Sequence, residues 1–452
     1  MEIKRISTEC VKPSSPTPCH LKKYKLSLLD QFMMPVYTFR ILFYPMTPDA
    51  SAAGTEEIIS ERSRLLKQSL SETLTLYYPL AGKMDDSLSI DCNDEGAYYV
   101  KARANCSLSE FLSQPDLTLL GRFLPSEPSW RESSEGIHVA MVQETIFACG
   151  GIVVGAYVTH KFVDGTALVA FLKCWAAIAR KSLEEIVPPK LDAPSFFIQN
   201  DAYPKDADLM AFNSPFIRKG RPATGRFVFD ASAIARLKAR AIQEKPTRVE
   251  AVSALLSKCV MSAFKARLGI DRPTIIGHNV NMRRRAVPPF PEQTIGNFPW
   301  ATLFIAEEKD MSVLVHQLRE AISRIDGDFV KNLQGDEGWL KLSAIIKEKS
   351  RELASPVFSN GWNHLEFSSW CNFGLYDIDF GWGKPVWATY SGPDASETLV
   401  YNIIVLVDTR IGRGIEAWVL LDEEEIDILV RDEELLAYAT PNPSPLKIGL
   451  PN

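Results

Sequence analysis

Hydrophobic positions along the first half of the chain follow two different spacings. Between Glu56 and Tyr77 they recur near every 3.6 residues, which predicts an amphipathic helix. Tyr37–Tyr44 is instead dense in aromatic and β-branched residues and predicts a strand. A further helix with a buried face is predicted from Gly165 onward. More strands are predicted over 88–92, 97–103, 137–147 and 152–159, the first two as a hairpin around Asn93-Asp94-Glu95-Gly96.

The pattern breaks in the middle of the chain and then resumes. Residues 188–224 contain six prolines and few periodic apolar positions, which predicts a crossover between an N-terminal domain, 1–187, and a C-terminal domain, 225–452. The length of 452 residues also suits two cores better than one. We therefore predict an α/β fold whose two domains meet at a shared interface. In the second half, strands are predicted at 225–229, 274–280, 364–370, 386–390, 399–407 and 414–421, and helices at 248–267, 312–324 and 339–352.

Composition and charge argue against several classes of function. The net charge is −6 and Arg283-Arg284-Arg285 is the one short basic run, so no nucleic-acid partner is expected. The eight cysteines show no CxxC spacing, which disfavours a zinc site or a disulfide framework. The longest apolar run, 148–158, is about half the length that a membrane helix needs, and no apolar leader is seen. We expect a cytoplasmic protein with no membrane partner.

One histidine and one carboxylate have a spacing that suits acid–base chemistry. His160 follows a predicted strand, and an imidazole is the natural proton acceptor near neutral pH. Asp164 lies four residues on, where a carboxylate can form a salt bridge and fix the loop. Gly165 is expected to permit backbone angles that other residues resist. The spacing alone is a weak signal, because a chain with six histidines often matches HxxxD by chance.

A second motif lies more than 200 residues downstream of the first. It is the string Asp379-Phe380-Gly381-Trp382-Gly383, made of rare residue types. A glycine turn that carries two core aromatics explains this string as well as direct chemistry does. Three other histidines, His278, His316 and His364, have no carboxylate at a useful spacing and are expected to be structural.

Together, HxxxDG and the distant DFGWG resemble the paired motifs of the plant BAHD acyltransferase family. The segment around Ser369-Trp370-Cys371 and Tyr376–Gly383 is most similar to family members that acetylate alkaloid alcohols. The resemblance covers essentially the whole chain, so the two motifs are no longer isolated matches. It extends over Lys12–Pro18, Leu26–Gln31, Tyr78–Lys83, Asn281–Arg285, Gly296-Asn297 and Gly414–Trp418.

The resemblance implies a fold and a set of partners. It implies two chloramphenicol-acetyltransferase-like domains, with mixed β-sheets flanked by helices and an active-site channel at the domain interface. Acyl-CoA is the implied co-substrate and enters from one side, while a small hydrophobic alcohol enters from the other. No further cofactor and no metal are implied, and a monomer is expected.

The same resemblance assigns the chemistry. His160 is expected to be the general base that takes the proton of the acceptor hydroxyl. The oxygen then attacks the thioester carbonyl in a ternary complex, without an acyl-enzyme. Trp370 matches the family position of a donor to the resulting oxyanion, because an indole N–H can only donate. Ser368 is a second candidate for that donor.

Other residues are expected to support the site without touching the reacting atoms. Asp164 should point away from the substrate and pair with Arg283 across the domain boundary, and Gly165 belongs to the same turn. The DFGWG motif is expected to shape the CoA side from a short distance. Its structural residues are Asp379, Gly381 and Gly383.

A helix start is the candidate contact for CoA. Thr247 and Arg248 open a predicted helix where family members contact the pantetheine arm and the phosphates, and helix N-termini suit phosphate. Ser253 lies on the next turn and is included in this set. An N-cap followed by a solvated arginine explains the same residues without CoA.

The acceptor is not fixed by the sequence. Acetyl is the expected donor group, with short branched acyl groups second, and the acceptor is expected to be a bulky apolar alcohol such as an alkaloid or a terpenoid. One alternative is an N-acyltransferase that forms amides, although a polyamine acceptor should require acidic residues in the channel. The other is a non-catalytic homologue that binds or regulates.

Overall fold

The computed structural model describes residues 1–46, 54–86, 88–125, 136–201, 216–306, 309–353, 361–392 and 398–448. The α-helices within these ranges are α1 (Leu28–Phe32), α2 (Thr55–Leu76), α3 (Leu108–Ser113), α4 (Gly165–Arg180), α5 (Ala193–Phe196), α6 (Ala231–Arg240), α7 (Arg248–Leu268), α8 (Met311–Ser323), α9 (Gly327–Asn332), α10 (Gly338–Leu353), α11 (Glu423–Leu429) and α12 (Glu433–Leu436). Short 3-10 turns lie at Cys19–Leu21, Tyr78–Ala81, Leu117–Phe123, Leu183–Glu185, Ile242–Glu244, Met282–Arg284 and Leu375–Asp377.

The strands alternate with these helices along the chain. They are β1 (Ile3–Val11), β2 (Lys23–Lys25), β3 (Tyr37–Tyr44), β4 (Lys83–Met84), β5 (Ser89–Asp91), β6 (Ala97–Ala104), β7 (Ala140–Ile146), β8 (Ile152–Thr159), β9 (Ile217–Lys219), β10 (Pro222–Phe229), β11 (Thr274–Asn281), β12 (Pro299–Ala306), β13 (Asn363–Ser369), β14 (Trp387–Thr389), β15 (Leu399–Tyr401), β16 (Ile403–Asp408), β17 (Ile415–Asp422) and β18 (Thr440–Pro441).

The first large sheet has the strand order β1-β6-β7-β8-β3-β14. It is mixed, because β6 and β7 run parallel while the other pairs are antiparallel. Helices α2 and α4 pack on each other beside it, and the buried Trp175 of α4 donates its indole N–H to Leu66 O of α2 at 3.2 Å. The result is a layered α/β unit with one face of the sheet covered by helices.

The second large sheet has the order β12-β11-β13-β16-β17-β10-β18 and is also mixed. Helix α7 covers it, with a face that includes Val252, Leu255 and Leu256, each fully buried. The predicted α/β class, with mixed sheets flanked by helices, is therefore confirmed. One strand crosses between the halves, since β14 pairs with β3 of the first sheet. The predicted domain boundaries at 187 and 225 stay a prediction.

Two local predictions are wrong, because the predicted strands pair with other strands than expected. The segments predicted as a hairpin, 88–92 and 97–103, belong to different sheets: β5 pairs with β2 and β4, whereas β6 pairs with β1 and β7. The single strand predicted over 399–407 is broken at Asn402, so that β15 pairs with β9 while β16 joins the large sheet. Local composition predicts extended backbone but does not select its partner.

Candidate active site

A cavity between the two halves of the molecule is lined by residues from both. His160 and Gly165 come from the first half, and Asn279, Ser368 and Trp370 come from the second. Much of its wall is apolar. The apolar lining includes Leu29, Phe32, Met33, Trp300, Ile345 and Ile346. The cavity therefore combines a few polar groups with a hydrophobic surface, which is the usual composition of a small-molecule site.

His160 lies directly after β8 and begins the turn, residues 160–164, that leads into α4 and is called the His160 turn below. Its backbone N–H donates to Val36 O at 2.7 Å, which holds the residue against the start of β3. The side chain is half-buried and faces the cavity. Burial is the largest influence on the ring and lowers its pKa below the usual value of 6.5. The imidazole is therefore neutral at neutral pH, as a proton acceptor must be.

Asn297 determines which ring nitrogen of His160 carries the proton. Its amide nitrogen donates to Asp30 Oδ1 at 2.9 Å and to His160 O at 2.6 Å, and both of these atoms can only accept. The amide oxygen is therefore the atom that lies 2.9 Å from His160 Nδ1, so Nδ1 carries the hydrogen. This leaves Nε2 with its lone pair as the basic nitrogen.

Asp30 holds Asn297 in place and is itself bound by Ser27. Its Oδ1 accepts from the Asn297 backbone N–H at 2.7 Å as well as from the side-chain amide, and its Oδ2 accepts from the Ser27 backbone N–H at 3.0 Å. Burial raises the pKa of the Asp30 carboxyl to about 6, against the hydrogen bonds from Ser27 and Asn297 that lower it. Sequence reasoning missed both Asp30 and Asn297. The Ser27-to-Asp30 capping spacing and the Gly296-Asn297 pair were the available signals.

Asp164 ends the turn that begins at His160, borders the same cavity and accepts hydrogen bonds from three residues. Arg283 Nη1 donates to Oδ2 at 2.6 Å and Nη2 donates to Oδ1 at 3.1 Å, so the pair is bidentate. Asp164 also caps α4 by accepting from Ala167 N at 2.9 Å, and it accepts from Phe298 N at 3.0 Å. Both charged side chains are almost completely buried. Among the hydrogen bonds of the described residues, none joins this carboxylate to the His160 ring, whose Nδ1 is bound by Asn297.

Arg283 connects the two halves of the site. Besides Asp164, it donates to Thr294 O at 2.8 Å and Gly296 O at 3.0 Å, which lie in the segment that leads to Asn297. The ion pair between Asp164 and Arg283 therefore fixes the turn that carries His160 and the segment that carries its hydrogen-bond partner. The two elements come from residues more than 100 positions apart.

Gly165 serves a different purpose from the one that the sequence predicted. Its φ is not positive, so its backbone adopts a conformation that any residue can adopt. A Cβ atom at this position would lie 2.6 Å from Trp370 Cζ2, far inside contact distance. The expectation of unusual backbone angles is wrong, and the physical reason for glycine is the close approach of the Trp370 indole.

Trp370 is held between Gly165 and a buried arginine. The guanidinium carbon of Arg40 lies 3.1 Å from the centre of its ring. Arg40 is completely buried, and this burial lowers its pKa to about 9. Within the described part of the chain, the indole N–H of Trp370 has no hydrogen-bond partner. Ser368 lines the same cavity from the preceding strand.

The DFGWG motif forms a tight turn away from the cavity that contains His160. Asp379 Oδ1 accepts from Gly381 N at 2.8 Å and from Gly383 N at 3.0 Å, and both glycines have φ near +105°. Phe380 is completely buried against Trp175 of α4. Arg180 of the same helix donates to Asp379 O. The motif therefore ties the C-terminal half to α4, the helix that begins at the His160 turn.

The three residues predicted to contact CoA lie at and after the start of α7, but they are not equally accessible. Thr247 caps the helix in a capping box with Glu250. Arg248 lies at the surface of a second cavity and pairs with Asp408 at 3.1 Å. Ser253 is 2% exposed and its hydroxyl has no partner in the described residues. The structure therefore does not bring Ser253 together with the Arg248 surface.

One of the histidines set aside from the sequence lies in the main cavity. His364 Nε2 is 3.4 Å from Glu366 Oε2, and both residues are buried and line the cavity. The expectation that His364 has no carboxylate at a useful spacing is wrong, because residues two apart on a strand face the same side and Glu366 is therefore its neighbour.

The sequence of this chain is similar to those of known transferases. A family model described as the Transferase family matches residues 1–436. Epi-neemfruitin B 7-O-acetyltransferase of Melia azedarach is 48% identical, with 99% of this chain and 100% of that protein covered. A limonoid 7-O-acetyltransferase of Citrus sinensis is also 48% identical, with the same coverage of each. The chain belongs to the BAHD acyltransferase family.

This BAHD protein also has a solved structural relative. The crystal structure of vinorine synthase matches with a TM-score of 0.81 and 32% identity, over 98% of this chain and 100% of that one. The likeness confirms the expected fold of two chloramphenicol-acetyltransferase-like domains. The protein is an acyl-CoA-dependent O-acyltransferase of specialised metabolism. Its relatives are named for O-acetylation, which favours this class over the amide-forming alternative.

Proposed function

We propose that the protein transfers the acetyl group of acetyl-CoA to one hydroxyl of a polycyclic terpenoid alcohol, with limonoids as the first acceptors to test. The observation that carries this proposal is the imidazole of His160, which lines a largely apolar cavity shared by both halves of the chain and whose Nδ1 is bound by Asn297, so that Nε2 is the basic nitrogen. The names of the two relatives at 48% identity support the choice of acceptor.

The proposed reaction begins at His160 Nε2. This nitrogen accepts the proton of the acceptor hydroxyl while the oxygen attacks the thioester carbonyl of acetyl-CoA. The tetrahedral intermediate then expels the CoA thiolate, which takes the proton from Nε2 and leaves as the thiol. A positioned base of this kind typically contributes ~10²- to 10⁴-fold in rate. The hydrogen bond from Nδ1 to Asn297 keeps the ring in the productive tautomer throughout.

The oxyanion of the intermediate needs a hydrogen-bond donor. Trp370 fits this role because its indole N–H has no partner among the described residues, and because Gly165 and Arg40 hold the ring on both faces. The buried cation beside the ring also favours negative charge nearby. Ser368, on the cavity wall, is a second donor in the proposal.

The supporting residues act through position. Asp164 and Arg283 hold the His160 turn, and the DFGWG turn braces α4 through Phe380. CoA is proposed to lie on the opposite side from the acceptor, with its phosphates near Arg248 at the start of α7. The surface around Arg248 also carries Arg410 and Arg413, which favours an anionic ligand there.

The state and location of the protein are part of the proposal. Within the described ranges, no helix has the length and apolar character needed to cross a bilayer. We propose a cytoplasmic monomer that binds neither membranes nor nucleic acid. No group of three or more His, Cys, Asp and Glu in the described residues is arranged to hold a metal ion.

A product assay tests the proposed function. Purified protein is incubated with acetyl-CoA and, separately, a limonoid alcohol, a simple aliphatic alcohol and a polyamine, and the products are read by mass spectrometry. We expect a mono-acetylated limonoid and far less product from the other two acceptors. Acetylation of the polyamine with no limonoid ester would contradict the proposal and favour the amide-forming alternative.

A further inference from the structure

A group of polar side chains lines the same largely apolar cavity as His160. Glu366 lines the cavity and its Oε1 accepts from Asn279 Nδ2 at 3.0 Å, while its Oε2 lies 3.4 Å from His364 Nε2. Glu366 and His364 are both less than 5% exposed. A buried acid in a hydrophobic pocket is costly unless it has a use or a partner.

These residues form a ladder along one strand. His364, Glu366 and Ser368 are at alternate positions of β13 and all line the cavity, whereas Leu365 and Phe367 between them face the core. A strand rises about 3.3 Å per residue, so side chains two apart on one face are separated by roughly 7 Å. The ladder continues to Trp370 at the reaction centre.

The rest of the sheet is shaped to hold the carboxylate of Glu366. Gly277 lies beside it on β11, and a Cβ atom there would collide with the carboxylate. Asn402 fixes the backbone, since it accepts from Glu366 N and donates its amide to His364 O, both at 2.9 Å. The space and the hydrogen bonds indicate a built site rather than an incidental buried acid.

His364 has an unused nitrogen. Its ring lies against Phe216, with a centroid distance of 4.4 Å, and its Nδ1 is buried with no hydrogen-bond partner in the described part of the chain. A buried polar atom without a partner is usually completed by a ligand or a water. Burial raises the pKa of the Glu366 carboxyl, and the interaction with His364 opposes that rise.

We propose that Glu366, His364 and Asn279 form a subsite that hydrogen-bonds a second hydroxyl of the acceptor, roughly 7 to 13 Å from the hydroxyl that is acetylated. Along β13, the lower value is the rise from Ser368 to Glu366, and the upper value is the rise from Ser368 to His364. This inference rests on the proposed function, and it names the chemistry that selects the acceptor. The substrate is then a rigid alcohol with oxygen at two ends, not a uniformly apolar one.

A hydroxyl fits this cluster better than a cation does. One oxygen of Glu366 already accepts from Asn279 and the other lies beside the His364 imidazole, so the carboxylate is not an open acceptor for the three N–H donors of an ammonium group. A hydroxyl can donate to His364 Nδ1 or accept from it, whichever tautomer the ring adopts. A site built to bind a hydroxyl discriminates strongly against the analogue that lacks it.

Direct binding tests the subsite without relying on catalysis. The probes are a polycyclic terpenoid diol, whose two oxygens are roughly 7 to 13 Å apart, and the same skeleton without the second hydroxyl. Calorimetric titration of the free protein gives the ratio of their dissociation constants. We expect the diol to bind at least about 5-fold more tightly, as one additional buried hydrogen bond predicts.

Two variants then assign the preference to these residues. Glu366→Gln keeps the shape of the side chain, and His364→Phe keeps the aromatic packing against Phe216. We expect the binding ratio to fall close to one in each, while Glu144→Gln, a buried glutamate outside the cavity bound by Ser63 and Tyr99, keeps it. If Glu366→Gln does not fold, His364→Phe decides alone.

The outcomes separate the subsite from the proposed function. Equal binding of the two probes by the unmodified protein, or a preference that survives in both variants, would overturn the subsite. A diol preference that the variants remove supports the subsite even if acetyl-CoA yields no ester, and in that case the proposed function fails alone. Binding of neither probe would overturn both proposals.

Discussion

Asn297 binds His160 at two points: its amide oxygen lies 2.9 Å from Nδ1, and its amide nitrogen donates to the His160 carbonyl oxygen at 2.6 Å. One side chain therefore orients both the ring and the backbone of the proposed base. The Asn297 amide nitrogen also donates to Asp30 Oδ1, so two oxygen acceptors fix the orientation of the amide group. The familiar partner of a catalytic histidine is a carboxylate, but here Asp164 lies elsewhere in the network.

Replacement of Asn297 tests this relationship. Asn297→Ala removes the acceptor for Nδ1–H, so the ring can turn or adopt the other tautomer. We expect turnover to fall roughly 10- to 100-fold, a part of the ~10²- to 10⁴-fold that a positioned base supplies. The measurement is kcat at saturating acetyl-CoA, with Asn93→Ala on an exposed turn as control. Unchanged kcat in a folded Asn297→Ala protein would contradict the assignment.

Asp164 is predicted to matter for stability first. Asp164→Asn keeps a cap for α4 but leaves the buried Arg283 without its counter-charge, and breaking such a pair typically costs about 3–5 kcal/mol. We expect a clear fall in melting temperature, with activity lost in parallel as the His160 turn loosens. Glu61→Gln, which breaks an exposed pair with Arg64, should leave melting unchanged. Loss of activity at an unchanged melting temperature would point to a chemical role for Asp164.

Gly165 and Trp370 are predicted to be coupled. Alanine usually stabilises a helix relative to glycine by about 0.5–1 kcal/mol, but here its methyl group meets the indole ring. We expect Gly165→Ala to lower kcat by displacing the donor. The same change made in a Trp370→Phe background, where the ring is smaller and the N–H is already gone, should cost much less. Additive effects of the two substitutions on kcat would show that the contact is not functional.

The pH dependence follows from the direction of the His160 shift. Burial lowers the pKa of this ring below 6.5, and its neutral form is the active one, so activity should persist at neutral pH and fall only as the pH drops through that lowered value. Asp30 has a pKa of about 6, and its protonation at acid pH weakens its hold on Asn297. The check is a profile of kcat/KM against pH. An acid limb with its midpoint above 6.5 would contradict the account.

The elements that sequence predicted well are those with strong local patterns. Helix α7 begins where predicted, because Thr247 caps it and its apolar face is continuous, and β3 has the predicted bounds. Strand β1 was missed, since most of its side chains are exposed and its place is set only by pairing with β6. Partners of this kind depend on residues far apart along the chain, which local periodicity cannot detect.

Some residues of the site can likewise be predicted from the sequence and others cannot. His160 and Trp370 follow from motif resemblance, and the structure brings both to one cavity. Asn297 lies 137 residues from His160, and nothing in its local sequence specifies a hydrogen bond to that ring. The partnership of His364 and Glu366 was visible in principle, as two polar residues at alternate positions of a strand. That the two side chains line a cavity follows only from the folded structure.

The most direct test of the central claim is the rate of CoA thiol release from acetyl-CoA with a limonoid alcohol, compared between the unmodified protein and His160→Ala. The account predicts that His160→Ala folds and binds acetyl-CoA with normal affinity, yet releases thiol ~10²- to 10⁴-fold more slowly. Thiol release at a near-normal rate, with formation of the same ester, would contradict the role of His160 as the general base.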